Sequence, residues 1–176
     1  MNRNQSTIVL AWVLAVAGIA SVSMAATGES KAQTNAAQAF DKLKALAGQW
    51  EATSEKGKVT TSYEVVSGGT ALLERIKISG ESEMLTVYHL DGNRLVLTHY
   101  CEAGNQPTMQ AEPFDPASNQ LHFRFVNATG LSSANAGHMH DAVIKLANPD
   151  EFSEDWTWRE NGKDGLHVQL LYHRVR

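Results

Sequence analysis

The sequence predicts an all-β fold: a ten-stranded antiparallel up-and-down barrel behind a short N-terminal helix. Three observations lead there. From Gly48 to Arg176 the chain divides into about ten short segments in which apolar and polar residues alternate. Turn-forming pairs separate them, at Lys56-Gly57, Gly68-Gly69, Ser79-Gly80, Asp91-Gly92, Asp115-Pro116, Asn148-Pro149 and Asn161-Gly162. No helical repeat interrupts the run. Hairpin-linked strands in that number close most simply on themselves, as a barrel with a hollow interior.

The N-terminus carries an export pattern. Arg3 begins it, Ile8 to Ala20 is uniformly apolar, and Ser23-Met24-Ala25 offers small residues where a signal peptidase reads them. We therefore expect a signal peptide at 1–25, with the protein exported to the periplasm or secreted. The apolar stretch is shorter than the roughly 20 residues a bilayer span needs, so no stable membrane insertion is expected after cleavage. Residues 26–35 are small and polar and read as a disordered leader. Thr34 or Asn35 caps a helix over 36–47, with Phe40, Leu43 and Leu46 or Ala47 on one face and Gly48 as its stop. The barrel domain is thus 36–176.

The strands follow at 49–54, 58–66, 70–78, 83–90, 93–101, 107–113, 120–126, 138–147, 152–159 and 166–175. One connection, Asn127 to Gly137, is long and rich in Ala, Ser, Asn and Gly. It suggests either a lid over the barrel rim or a loop without a role. The chain carries 15 Lys and Arg against 19 Asp and Glu, a net charge of -4 at pH 7. These charges are scattered, which argues against a nucleic-acid partner. Cys101 is the one cysteine, so no intramolecular disulfide forms.

Period-two alternation assigns inner faces. Apolar residues share a face at Val59 and Tyr63, at Leu121, Phe123 and Phe125, and at Phe152, Trp156 and Trp158. The informative residues are polar ones on such faces, because burial costs them their water unless they find a partner. Glu74 rides with Leu72 and Ile76, and Glu154 with Phe152 and Trp156. Tyr172 rides with Leu170. His99 and Cys101 follow Leu95 and Leu97. His138 and His140 follow Ala142 and Ile144. Tyr88 points inward if the Asp91-Gly92 hairpin has an even register; otherwise His89 does. His122, Arg124, His167 and His173 fall on outer faces. Asn105 and Gln106 place amide groups at the rim, in a turn where Gly104 permits positive φ.

Several residues carry a resemblance. Phe40-Asp41-Lys42-Leu43-Lys44-Ala45-Leu46-Ala47-Gly48-Gln49-Trp50 looks like the entry segment of calycin barrels, the group of lipocalins, fatty-acid-binding proteins and nitrobindin-like proteins. The resemblance implies structural roles for Gly48, Trp50 and Arg174, the arginine packing across the Trp ring. The stretch from His99-Tyr100-Cys101 to Gly104-Asn105-Gln106-Pro107 further resembles a group of secreted bacterial proteins without assigned activity. The lipocalin disulfide cysteines are missing, and no histidine matches a nitrobindin-type haem ligand.

Three functions fit this pattern. The first is an exported, non-enzymatic barrel that holds a small, largely apolar or amphipathic molecule in its lumen, with Tyr63, Phe123, Trp156 and Trp158 lining the wall. Glu74, His99, Cys101, Asn105, Gln106, His138, His140 and Tyr172 supply its polar contacts, and it requires no cofactor. The second is a haem or metal site on a diatomic gas or peroxide, using one inward histidine or the set His99, His138 and His140. The third is a structural envelope protein with a filled lumen. No catalytic motif stands out. Export predicts a mature chain beginning near Ala26, which N-terminal sequencing of the exported protein checks; recovery of intact Met1 in the membrane fraction would make the segment an anchor.

Overall fold

The computed structural model describes the backbone from residue 26 and side chains from residue 35; the expected signal peptide lies outside the described residues. Helix α1 (Ala26–Lys44) precedes β1 (Gly48–Ser54), β2 (Gly57–Val66), β3 (Ala71–Ile78), β4 (Met84–Asp91) and β5 (Arg94–Tyr100). β6 (Gln106–Ala111), β7 (Gln120–Thr129), β8 (His138–Asn148), β9 (Glu151–Glu160) and β10 (Lys163–Arg174) complete the chain. Each strand pairs antiparallel with its sequence neighbours, and β1 pairs with β10 to close the barrel.

The strand positions agree with the sequence reading, and the differences have local causes. The stretch 26–35, read as a disordered leader, is the first part of α1. It holds no proline to break a helix. The helix also ends before Gly48: the amides of Leu46 and Ala47 bond the carbonyls of Leu43 and Lys44 in a tightened last turn. Gly48 instead opens β1. The long connection is shorter than expected, because β7 continues to Thr129 by pairing with Gln106 and Pro107. The β4–β5 turn has two residues, Gly92 and Asn93, between the paired Asp91 and Arg94. That even register turns Tyr88 inward and fully buries it.

A ten-stranded lumen is too wide for aliphatic side chains alone to fill from opposite walls. Aromatic rings fill it here. Trp50 meets Phe152 edge-on at 4.7 Å, and Phe152 stacks on Tyr172 at 4.7 Å. Tyr63, Tyr88 and Phe123 continue the chain of rings. Tyr88, Phe123, Phe152 and Tyr172 have no accessible surface, so no water-sized space touches them. The expected hollow interior is therefore solid across this half of the barrel. Ala39, Phe40, Leu43 and Leu46 of the α1 segment are buried as its cover.

The covered end is locked by one arginine. Arg174 sits opposite Trp50 across the β1–β10 seam, its guanidinium 4.1 Å from the ring centroid. It donates to the carbonyls of Ala47 at 2.9 Å, Ala45 at 3.2 Å and Pro149 at 2.9 Å. Trp50 Nε1 donates to the Leu46 carbonyl at 2.7 Å, satisfying a helix-end acceptor. The first glycine of Gly-x-Trp has a steric reason. At φ +133°, a Cβ on Gly48 would stand 2.8 Å from Arg174 Nη1.

Trp50→Ala should destabilise the fold by about 3–5 kcal/mol, as large-to-small core changes do. Arg174→Ala should cost about 1–2 kcal/mol. Urea denaturation of both single variants and the double variant measures their coupling. Additive losses would show that the two side chains act independently.

Candidate functional site

Inside the barrel, one belt of polar side chains crosses four neighbouring strands. Tyr63 pairs with Glu74, Glu74 with Thr86, and Thr86 with His99, so all four point into the lumen at one level. Glu154 and Trp156 meet them from β9. Tyr63 donates to Glu154 Oε1 at 2.5 Å and Trp156 Nε1 to Glu154 Oε2 at 3.1 Å. Tyr88 donates to Glu74 Oε2 at 3.0 Å, and Thr61 bonds the Tyr172 hydroxyl at 3.1 Å.

The two carboxyl groups are buried and interact with each other. Burial, then the Glu154 charge, pushes Glu74 well above the usual carboxylate range. Burial also raises Glu154, against the donated hydrogen bonds of Tyr63 and Trp156 that hold it down. Two like charges at this depth are untenable, so the pair favours a shared proton. Burial likewise raises the phenols of Tyr63, Tyr88 and Tyr172, keeping them neutral.

His99 marks the upper edge of the belt. Its Nδ1 lies 3.0 Å from Thr86 Oγ1, and its ring leans on Trp156 at 4.9 Å. Burial lowers its pKa to about 4, so it is neutral at pH 7. Its Nε2 is buried without a hydrogen-bond partner. One other buried side-chain atom among the described residues shares that condition, Asn105 Oδ1.

Both belong to the stretch His99 to Pro107. Its turn is closed by Cys101 N donating to the Asn105 carbonyl at 3.1 Å and Gly104 N to the Cys101 carbonyl at 3.0 Å. Asn105 Nδ2 then reaches the Gly137 carbonyl at 2.9 Å. Gly130 and Gly137 let the β7–β8 loop press in. A Cβ on Gly130 would meet the Gly104 carbonyl at 2.6 Å, and one on Gly137 the Trp158 ring at 2.1 Å. With Asn161 N bonded to the Asn135 carbonyl at 3.0 Å, this loop is fastened at the rim.

The remaining expected site residues divide as follows. Tyr63, Glu74, Phe123, Trp156 and Tyr172 line the lumen as expected. Cys101 is half-buried, its thiol raised by burial. Gln106 is bound within its own surroundings, donating to the Gly104 carbonyl and accepting from Thr129. Trp158 packs on Gly137 at the rim.

His138 and His140 do not join His99. A register shift between Met139 and Asp141 breaks the alternation: His138 pairs with Arg159 and Met139 with Trp158. Met139 takes the place against the core. His138 and His140 bond each other at 3.0 Å and stack against Phe125. His140 borders an outer groove of about 430 Å³ with His122, Arg124, Asp141, Arg159 and Asp164. Burial, then Arg159, lowers its pKa.

The expected three-histidine metal set is thus not assembled, and no group of three His, Cys, Asp or Glu among the described residues is placed to hold a metal ion. A haem does not fit His99 either. Its free nitrogen is enclosed and Trp156 covers the ring, leaving no slot for a macrocycle.

Sequence reasoning missed Thr61 and Thr86, which look like ordinary strand residues. It placed Glu154 on the apolar face without assigning it a role. The signal was the same as for Glu74: a carboxylate in period with large apolar neighbours.

The shared proton gives a signed prediction. Glu74 has a raised pKa in the fold, so its stabilising contribution is complete below the unfolded carboxylate value of about 4.3. It is lost as pH rises through the raised folded value. Glu74→Gln keeps a neutral donor beside Glu154, so its stability should fall less steeply over that window. Glu154→Gln turns an amide NH2 toward either Tyr63 or Trp156 and should cost about 1–3 kcal/mol. Denaturation midpoints from pH 4 to 9 check both; parallel curves for wild type and Glu74→Gln would refute the sharing.

No protein-family model matches the chain, and no curated protein matches it in sequence. Solved structures do. Rv2717c from M. tuberculosis superposes with a TM-score of 0.54 at 14% identity, over 78% of this chain and 98% of its own. A protein of unknown function of the DUF3598 family from Nostoc punctiforme gives 0.41 at 11% identity, over 77% and 49%. EF1p2_mFAP2b, solved bound to DFHBI, gives 0.28 at 14% identity, over 81% and 99%. At these values the first shows a shared fold and the other two carry no weight; the chain has the closed β-barrel architecture of Rv2717c.

Proposed function

We propose that this protein is an exported, non-enzymatic binder of a small amphipathic molecule, held in the open mouth of the barrel rather than deep in its lumen. The Gly-x-Trp opening and the Arg174 stack support placing it among calycin-type barrels. The observation that carries the reading is the pair of unpartnered buried atoms, His99 Nε2 and Asn105 Oδ1. A buried polar atom left without a partner costs about 1–3 kcal/mol. The rest of the buried polar belt is satisfied, and both exceptions sit on one stretch at the uncovered end. A ligand there supplies what the chain withholds.

The wall at that end suits an amphipathic guest. Ala52, Ile78, Met84 and Trp156 are buried but retain 5–8% exposure, in contrast to the sealed rings beside α1. Leu166, beside the β10 register shift at this end, is an exposed apolar side chain. Apolar walls with a few fixed polar atoms are the usual composition of a small-molecule site.

Native mass spectrometry of the exported protein from its own host tests this. A retained small molecule is expected, and it should be lost from the His99→Ala, Asn105→Ala double variant. A bare chain mass in repeated preparations would reject the binding role and favour a structural barrel.

A further inference from the structure

The outer face of the barrel holds a groove that the binding role above does not use. Arg124, Asp141, Thr157 and His167 stand in one row across β7, β8, β9 and β10. Register shifts in β8, between Met139 and Asp141, and in β10, between Asp164 and His167, flank the same stretch of β9. The groove of about 430 Å³ lies over this row. The polarity of one of its walls follows from two hydrogen bonds. His138 Nδ1 meets the Ala136 carbonyl at 2.9 Å, and a carbonyl only accepts, so Nδ1 carries the hydrogen. In the neutral pair His138 Nε2 is then the acceptor, and His140 Nδ1, 3.0 Å away, donates to it. His140 Nε2 is left with a bare lone pair, on a residue that lines the groove. Burial, then Arg159, holds this imidazole below its ordinary range, which keeps it neutral near pH 7.

Arg159 brings the opposite polarity to the same groove. It spends Nε on Asp164 at 2.6 Å, which leaves its two Nη groups as donors. The carboxylates of the groove are already engaged. Asp141 accepts from His122 and Arg124, Asp155 from Gln169, and Asp164 from Arg159. We infer that this groove binds a small oxyanion that carries its own proton, of the phosphate or phosphomonoester class, with oxygens on the Arg159 guanidinium and a P–OH donated to His140 Nε2. An oxyanion without a proton is disfavoured twice. It sets a lone pair against the lone pair of His140 Nε2. It also brings only negative charge to a lining in which two arginines stand against three aspartates. A site built around a fixed hydrogen-bonding group discriminates against the analogue that cannot satisfy it. His138 is a positioning residue here: it sets which nitrogen of His140 holds the hydrogen and touches no ligand.

Titration calorimetry of the mature protein with inorganic phosphate and with sulfate tests this near pH 7. The two ions share a shape, and phosphate alone keeps a hydroxyl. Phosphate should bind about tenfold more tightly. Glycerol 2-phosphate separates the two sources of the group: tighter binding than inorganic phosphate assigns the site to phosphorylated organic molecules, and weaker binding assigns it to the free ion. Arg159→Gln should weaken phosphate about tenfold or more, and His140→Phe should bring phosphate and sulfate to near-equal affinity. The ¹⁵N shifts should show hydrogen on Nδ1 of both His138 and His140 in the free protein, with His140 Nε2 perturbed by phosphate. Hydrogen on His140 Nε2 in the free wild-type protein overturns the inference without need of a variant. Equal binding of phosphate and sulfate to the wild type overturns it too, as does an unchanged phosphate affinity in Arg159→Gln. No saturable phosphate binding by about 10 mM removes the site altogether. The groove lies outside the lumen, so each of these results leaves the binding role at the mouth standing.

Discussion

The width of the lumen is the constraint from which the rest of the interior follows. Ten strands enclose more space than aliphatic side chains fill, so rings must span it. Trp50, Tyr63, Tyr88, Phe123, Phe152, Trp156 and Tyr172 do so, and five of these carry an O–H or N–H group on the ring. Sealed from water, those groups need acceptors within the barrel. Glu74 accepts from Tyr88, Glu154 from Tyr63 and Trp156, and the Leu46 carbonyl from Trp50, while the Tyr172 hydroxyl accepts from Thr61. The carboxyl pair is thus a consequence of filling a wide barrel with tyrosine and tryptophan. Two carboxyl groups in one dry space favour a shared proton, and beside them Thr86, facing Glu74 across the sheet, bonds the His99 ring.

The two ends of the barrel solve opposite problems. At the covered end, α1 leaves carbonyls without helical partners and the β1–β10 seam joins only short lengths of strand. Arg174 meets both needs with one side chain, bonding carbonyls of the helix end and of the β8–β9 turn while stacking on Trp50. The uncovered end has no such clamp. Its loops are tied to one another: Ser82 N bonds Glu102, Asn105 bonds Gly137, and Asn161 bonds Asn135. These contacts fasten the rim loop to loop.

The architecture was legible in the sequence because turn chemistry and alternation are local. Gly92 at φ +59° makes the two-residue β4–β5 turn, and the segment boundaries moved by only a few residues. Alternation also placed Glu74, His99 and Tyr172 correctly on inner faces. It failed at His138 and His140, where one extra residue between Met139 and Asp141 reverses the count. No glycine or proline announces that bulge; it arises from pairing with Trp158, a contact about twenty residues away in sequence. Thr86 was illegible for a different reason. Threonine is an ordinary strand residue, and its role comes from two cross-strand neighbours that no local pattern names.

The unpartnered atoms at the mouth are therefore unlike the rest of the interior. In the belt below, each hydroxyl, indole and carboxyl group has a partner, at the expense of two buried acids. At the belt's upper edge, the same chain leaves His99 Nε2 and Asn105 Oδ1 bare. Asn105 is not a residue left over from loop formation, since its other amide atom anchors Gly137 and its backbone closes the Cys101 turn. His99 is similarly constrained, by Thr86 on one side and Trp156 on the other. Both are held rigidly in an orientation that does not satisfy them. Under the binding role proposed above, a partner for either atom would recover the hydrogen bond that its burial costs, and that recovered energy would count toward affinity.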